Sequence, residues 1–431
     1  MGAIIISVLT CTLMILSILF FPKIKIKSIS LSTYWIISLI GAILLLLTKQ
    51  INFQNLINEL TSDSSMNPIK ILVLFVSMTI LSIFLDEVGL FKYIANFAVT
   101  KAGNKQFKLF IYLYVLVSIL TIFTSNDIII LTFTPFICYF AKNTKINPIP
   151  FLVTEFVAAN TWSLMFLIGN PTNIYIGSKY NIDFIQYLKV MFIPTIVTGL
   201  VSFSMLLLLF NKQLKQPIKE FNYEKVTLNK PLLIIGLMHL CSCIILLVIS
   251  SYIDLQMWII TLIFAISLLL CTLTYKLITR KENIYIVSTI KRLPFELIPF
   301  VLSMFTIVLS LKESGITKNI SELLQNDNHY ILNTLTSFIS CNFLNNIPMS
   351  VLFTEILASS TPNLNDIYGV IISSNLGAIL TPIGALAGIM WMSLLKKYNV
   401  KFNFLSFIKY GAIIVIPTFI FSDITLYLVL L

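Results

Sequence analysis

Four polar interruptions inside apolar stretches are the places in this sequence where chemistry can occur. They are Thr124-Ser125-Asn126-Asp127, Gly169-Asn170-Pro171-Thr172-Asn173, Asn342-Phe343-Leu344-Asn345-Asn346-Ile347-Pro348 and Thr381-Pro382-Ile383-Gly384. Gly and Pro end or deflect a helix, and neighbouring Asn, Ser and Thr side chains then offer amides and hydroxyls to whatever lies at the break. Helix N-termini exposed there also stabilise partial negative charge. On this reading Ser125, Asn126, Asn170, Thr172, Asn173, Asn345, Asn346 and Thr381 are candidate binding residues. The competing reading makes each interruption an ordinary helix end slightly outside a membrane.

Asp127 is the most informative charge, standing at the first interruption with its nearest charged neighbours in sequence at Lys108 and Lys142. A carboxylate at membrane depth is costly and points to proton or cation handling, whereas capping of its own helix is the alternative. Glu155 is the second candidate for proton coupling, either as a titrating group within a span or as a residue near the interface. Asp86, Glu87 and Glu313 fall at span ends, where solvation is expected. His239 and His329 are too isolated to suggest a metal site, and no cofactor is expected.

The elements that must position these residues are membrane helices. Hydrophobic residues make up 58% of the 431 and charged ones only 11%, too little polar surface to cover a soluble domain. Apolar runs of about 18–25 residues match a hydrocarbon core of about 30 Å at about 1.5 Å per residue. Ten spans are expected near 2–21, 30–48, 68–86, 149–177, 190–210, 231–250, 256–275, 295–312, 366–397 and 404–428. The first is too long, and too poor in N-terminal charge, for a removable signal peptide. Segments 107–141 and 331–358 carry interruptions, and their short arms suggest re-entrant hairpins.

The positive-inside rule supports the hairpins. With the N- and C-termini outside, 22 Lys and Arg fall in inner loops and 6 in outer ones, setting Lys409 aside; if both segments crossed twice the division would be 11 and 17. Basic residues placed in this way are topology signals of a multi-pass plasma-membrane protein, and nucleic acid is not an expected partner. Cys11, Cys138, Cys241, Cys243, Cys271 and Cys341 lie scattered in apolar segments without a disulfide pattern.

The halves share landmarks. Ser77-Met78, Glu87 and Gly89 recur as Ser303-Met304, Glu313 and Gly315 at an offset of 226, Asn126-Asp127 as Asn345-Asn346 at 219, and Asn160 with Ile168-Gly169 as Asn375 with Ile383-Gly384 at 215. The expected organisation is a first repeat 1–210, a cytoplasmic linker 211–230 and a second repeat 231–431. Five crossings and one hairpin per half make the repeats inverted, which places a site near the midplane where broken helices meet. The fold class is therefore an all-α integral membrane protein.

These residues resemble the arsenite/antimonite efflux permease family of the ArsB type. That family is a branch of an ion-transporter superfamily that also holds citrate and dicarboxylate carriers and sodium/proton antiporters. The resemblance is carried by Phe84-Leu85-Asp86-Glu87-Val88-Gly89, by Ser125-Asn126-Asp127 with Leu131 and Thr134-Pro135, and by Gly169-Asn170-Pro171-Thr172-Asn173. In the second half it is carried by Ser303-Met304, Ser314-Gly315, Asn345-Asn346-Ile347-Pro348, Thr381-Pro382-Ile383-Gly384-Ala385-Leu386-Ala387 and Trp391.

The resemblance implies a secondary transporter that exports As(III) or Sb(III) as the neutral hydroxide in exchange for protons, with Asp127 proton-linked. It also implies a homodimer and, for some relatives, a separate soluble ATPase. Asn375 departs from it, standing where arsenical members tend to carry an acid. Cys138 and Cys341, one per hairpin, are weighed as thiol ligands for the metalloid against ordinary buried cysteines. The main alternative is a sodium-coupled carrier of a citrate-like anion; an integral-membrane enzyme or a passive channel fits the isolated charges less well.

Overall fold

The computed structural model describes the chain except residues 27–28, 64–66, 219–227, 251, 254, 281–283 and 326–328. In lipid each backbone N–H and C=O needs an internal partner, and the apolar runs accordingly fold as helices. The first half contains α1 (Gly2–Phe20), a ribbon of β1 (Lys23–Ile26) antiparallel to β2 (Ile29–Ser32), α2 (Thr33–Leu47), α3 (Phe53–Thr61) and α4 (Pro68–Glu87). It continues with α5 (Leu90–Ala102), α6 (Gln106–Phe123), α7 (Asn126–Thr144), α8 (Ile149–Trp162), α9 (Pro171–Lys179) and α10 (Phe184–Leu214). The second half runs α11 (Lys230–Ile249), α12 (Met257–Thr279), α13 (Ile284–Lys291), α14 (Leu297–Glu313) and α15 (Ile316–Leu324). It ends with α16 (His329–Leu344), α17 (Asn346–Ala358), α18 (Leu364–Leu376), α19 (Leu386–Lys397) and α20 (Phe404–Val429).

Element order repeats between the halves. The starts of α8, of the 3-10 turn Leu167–Gly169 and of α9 each lie 215 residues before those of α18, the turn Pro382–Gly384 and α19. Glu87 and Glu313 each end a helix, and Gly89 and Gly315 follow with φ of 95° and 75°. A Cβ is disfavoured in that left-handed region, which accounts for glycine at both corners; the second corner bends the chain by 77°. Much of the expected linker, 219–227 of 211–230, lies outside the described residues.

Among the described residues six helices are long and apolar enough to cross a membrane by themselves: α4, α6, α10, α11, α12 and α20. The expected spans 149–177 and 366–397 are each two helices joined through 3-10 turns, α8 with α9 and α18 with α19. The expected span 190–210 starts earlier, at Phe184, where Asp183 and Gln186 form a reciprocal capping box. The arms of the first interrupted segment also differ from expectation. Helix α7 has 19 residues because it continues through Pro135 to Thr144, and α6 has 18. The short-arm argument holds for α17, whose 13 residues span about 20 Å.

Two packing groups emerge. Helices α1, α2 and α14 pack together, as do α4, α11 and α12. Across the halves α10 packs on α20, α7 on α19, and α9 on α17 and α18; within them α8 packs on α7 and α10, and α18 on α16 and α20. The apolar stretch of α4 is 72% buried against 28% for α11 and for α12, which leaves α4 central and the other two facing lipid.

Candidate functional site

Each break is built by its own sequence. Asn170 caps α9, its Oδ1 accepting from the Thr172 N–H at 3.2 Å, and Pro171 occupies the first turn, where no N–H is required. Gly169 is needed for close approach: a Cβ there would meet the Ser163 carbonyl oxygen at 2.3 Å. At the second hairpin tip Asn345 takes φ 78° and ψ 152°, a region that costs a non-glycine residue about 1–3 kcal/mol. Its side chain helps hold the conformation, Nδ2 donating to the Ile383 carbonyl at 2.9 Å and Oδ1 accepting from the Ile347 N–H at 3.3 Å.

Three of the eight expected binding residues, Asn170, Thr172 and Asn173, join one polar network with Asn375 at its hub. Asn375 Oδ1 accepts from Ser163 Oγ and from Asn170 Nδ2, both at 2.9 Å, while its Nδ2 donates to Asn173 Oδ1 at 2.7 Å. Ser374 Oγ donates to Thr172 Oγ1 at 2.9 Å. The break of the first half is thus bonded to α18 of the second. On the other side of α8, Asn126 Nδ2 donates to Asn160 Oδ1 at 3.1 Å, and Thr381 Oγ1 donates to Asn342 Oδ1 at 2.9 Å. Ser125 Oγ is buried with no partner among the described residues, and Asn346 is buried at the second tip. Among the described residues no Lys, Arg or His bonds to any of these side chains.

Asp127 lies in the first turn of α7, where the helix dipole favours a carboxylate. Among the described residues its carboxylate accepts no backbone N–H; the Asp127 N–H instead donates to Asn126 Oδ1 at 3.0 Å. The capping alternative is therefore not realised as a hydrogen bond. Glu155 is only 1% exposed and sits inside the helix packing, away from any interface. Thr134 Oγ1 lies 2.9 and 3.0 Å from its two oxygens, and no cation pairs with it among the described residues.

The structure corrects the expected solvation of Asp86 and Glu87, while Glu313 is exposed as expected. Arg292, just ahead of α14, pairs with Asp86 at 2.6 Å and Glu87 at 2.5 Å, and Asp86 also accepts from Thr132 Oγ1 at 2.8 Å. The reason is the packing of α13 on α4, which lays a guanidinium over the helix end. Glu313 accepts from the Asn52 N–H and from Asn55 Nδ2 at 2.9 and 2.7 Å.

Sequence reasoning missed Ser163 and Ser374, each of which reads as a routine helix residue until the chain is folded, and it placed Asn342 in an interruption without naming it a binding residue. It treated Asn375 as a repeat landmark and as a departure, not as a binding residue. Cys341 Sγ lies 3.3 Å from the Gly384 carbonyl, at the second break, whereas Cys138 is buried on α7.

A cavity of about 700 Å³ opens beside the Arg292 cluster, lined by α4, α5 and α7. Leu131 and Pro135 line it, one and two turns beyond Asp127 on the same face of α7. The cavity thus reaches α7 to within one turn of the first hairpin tip, at Leu131.

The citrate transporter family, CitMHS, matches residues 28–369. The chain belongs to this family. Relatives within reach of it include the arsenical pump membrane protein of Escherichia coli K12, 26% identical over 364 residues that cover 80% of this chain and 82% of that protein. A transporter of Mycobacterium tuberculosis H37Rv is 21% identical over 371 residues, 83% of this chain and 86% of the other.

Among solved structures, the YdaH transporter of Alcanivorax borkumensis has a TM-score of 0.58 at 11% identity, covering 99% of this chain and 97% of its own. MtrF of Neisseria gonorrhoeae, described with a class of antimetabolite efflux pumps, has 0.53 at 12%, covering 98% and 94%. These two likenesses concern the fold. As a member of the citrate transporter family the chain is a multi-pass secondary transporter of a small solute, and its relatives are transporters rather than enzymes.

Proposed function

We propose that this transporter exports arsenite or antimonite across the plasma membrane in exchange for protons. The observation that carries the reading is the network around Asn375, an assembly of amides and hydroxyls without a cation. Arsenous acid is an uncharged polyol near neutral pH, and a neutral hydrogen-bonding site suits it. A citrate-like anion would call for compensating positive charge. The name of the Escherichia coli relative supports the same solute class.

Asp127 is the proton-linked group in this reading, because its carboxylate has no hydrogen-bond donor or cation among the described residues and shares a helix face with the open cavity. Glu155 is a second proton-carrying group. The two halves are inverted repeats divided at 211–230, and the distribution of Lys and Arg supports termini outside with the Arg292 cavity facing the cytoplasm.

The test is solute movement in inverted membrane vesicles. Arsenite accumulation driven by a proton gradient is expected, with loss on Asp127→Asn. Sodium-dependent citrate or succinate movement without arsenite accumulation would retain the fold and replace the solute, an outcome that the family's own name keeps in view.

A further inference from the structure

The geometry points to a lock of three charges, Lys179, Glu355 and Lys312, that seals the face opposite the open cavity and must release whenever the site turns to that face. Glu355 is on α17, the second arm of the second hairpin, and its side chain is only 9% exposed. Lys179 Nζ lies 2.8 Å from one carboxylate oxygen and Lys312 Nζ 3.0 Å from the other.

These contacts join three elements. Lys179 ends α9, which begins at the break Asn170-Pro171; Lys312 is next to last in α14, which packs with α1 and α2 in the other group. Glu355 therefore ties the hairpin to the broken helix of the opposite half and to the surrounding helices at once. Tyr180 adds a bond nearby, its hydroxyl donating to the Thr354 carbonyl at 3.2 Å.

The two ends of the molecule carry repeat-related joints, both formed in this structure. Lys312 occupies the repeat position of Asp86, 226 residues on, and each reaches the second arm of a hairpin, Asp86 through Thr132 of α7 and Lys312 through Glu355 of α17. At the Asp86 end the cavity measures about 700 Å³. At the Lys312 end, beneath Glu355 and lined by Tyr175, Leu309 and Val351, about 10 Å³ remains, room for hardly one water. The charges differ in sign between the ends, so neither lock can substitute for the other.

This inference rests on the inverted-repeat transporter proposed above, in which such repeats expose the site to one face at a time, and is independent of the solute. Its test needs no transport. Val351→Cys and Leu131→Cys are introduced separately, and maleimide labelling of each cysteine is followed by peptide mass spectrometry on protein in lipid nanodiscs. Val351 is 1% exposed beneath the lock, and Leu131 lines the open cavity.

Replacing Glu355 by Gln removes the anion that joins Lys179 to Lys312 and leaves Lys312 only the more distant Glu59, at 3.9 Å. Labelling at position 351 is then expected to speed up by at least about tenfold while labelling at 131 slows. Lys312→Gln should act in the same direction and supplies the test if Glu355→Gln fails to fold. Lys318→Gln, at an exposed pair, should change neither rate. Unchanged labelling at 351 in a folded lock variant would overturn the lock, and so would faster labelling at both positions, which indicates loosening without a switch of face. Absence of arsenite export by the parent protein, with the reciprocal labelling pattern intact in the variants, would reject the proposed solute and leave the lock standing.

Discussion

Replacing Asn375 by Leu is expected to cost more stability than a typical core substitution, because the side chain is a shared partner rather than a filler. Leu is close in size, so the loss lies in hydrogen bonds. Asn170 Nδ2 and Asn173 Oδ1, on residues 1% and 0% exposed, both lose the Asn375 partner. Ser163 keeps a bond to the Asn160 carbonyl at 3.0 Å and is not orphaned. Two buried groups left unpaired at about 1–3 kcal/mol each give about 2–6 kcal/mol. Thermal unfolding in detergent should show a midpoint clearly below that of the parent, and vesicle transport should fall with it. Asn375→Asp separates the acceptor role from the donor role. The acid still accepts from Ser163 and Asn170, but as a carboxylate it faces Asn173 Oδ1 where the amide donated at 2.7 Å. Protonation restores a donor, so this variant should approach the parent as pH falls and drop away as pH rises, while Asn375→Leu lags the parent by a similar margin at both. A midpoint for Asn375→Leu equal to the parent's would refute the hub argument.

Three further substitutions probe separate parts of the site. Glu155→Gln removes a buried charge but keeps a group for Thr134 to bond, so normal folding with an altered pH dependence of transport is expected; an unchanged pH profile would remove Glu155 from the proton path. Asn345→Gly relieves the backbone cost of φ 78° but loses the bond to the Ile383 carbonyl, whereas Asn345→Ala loses the bond and keeps the strain. Thermal midpoints should therefore fall in the order parent, Gly, Ala, with the last two separated by about 1–3 kcal/mol. Gly169→Ala drives a methyl to 2.3 Å from a backbone oxygen, and a drop in midpoint with loss of transport is expected, since backbone cannot rotate aside as a side chain can.

What the sequence made legible follows from range. Breaks at Asn170-Pro171 and Pro382–Gly384 are local events, fixed by Pro, Gly and a capping amide within a few residues, and their shared offset shows in the bare chain. The partners of those breaks are not local. Ser163 and Asn375 are separated by 212 residues, and nothing in the spacing of either indicates that one accepts from the other. The same limit explains Asp86 and Glu87, whose positions at the end of an apolar run suggest water until Arg292, 205 residues beyond Glu87, is folded onto them. Length arguments fail differently: α7 exceeds its apolar stretch because the polar residues Asn126-Asp127 and Lys142-Asn143-Thr144 extend it at both ends, so hydropathy marked its core and missed its ends.

The distribution of bonds bears on which parts can move together. The broken helices of both halves are joined by uncharged amide and hydroxyl contacts, several of them shared at one atom, and breaking any of them exposes buried polar groups in a dry interior. The contacts from these helices to α4 and α14 run instead through charged ends, Asp86 to Thr132 and Lys312 to Glu355. Such ends lie at helix termini, where water can take the partner's place once the joint parts, whereas the amide network in the interior has no such replacement. A transporter that must change face while keeping its site assembled is therefore expected to part along the charged joints and to carry the Asn375 network as one piece.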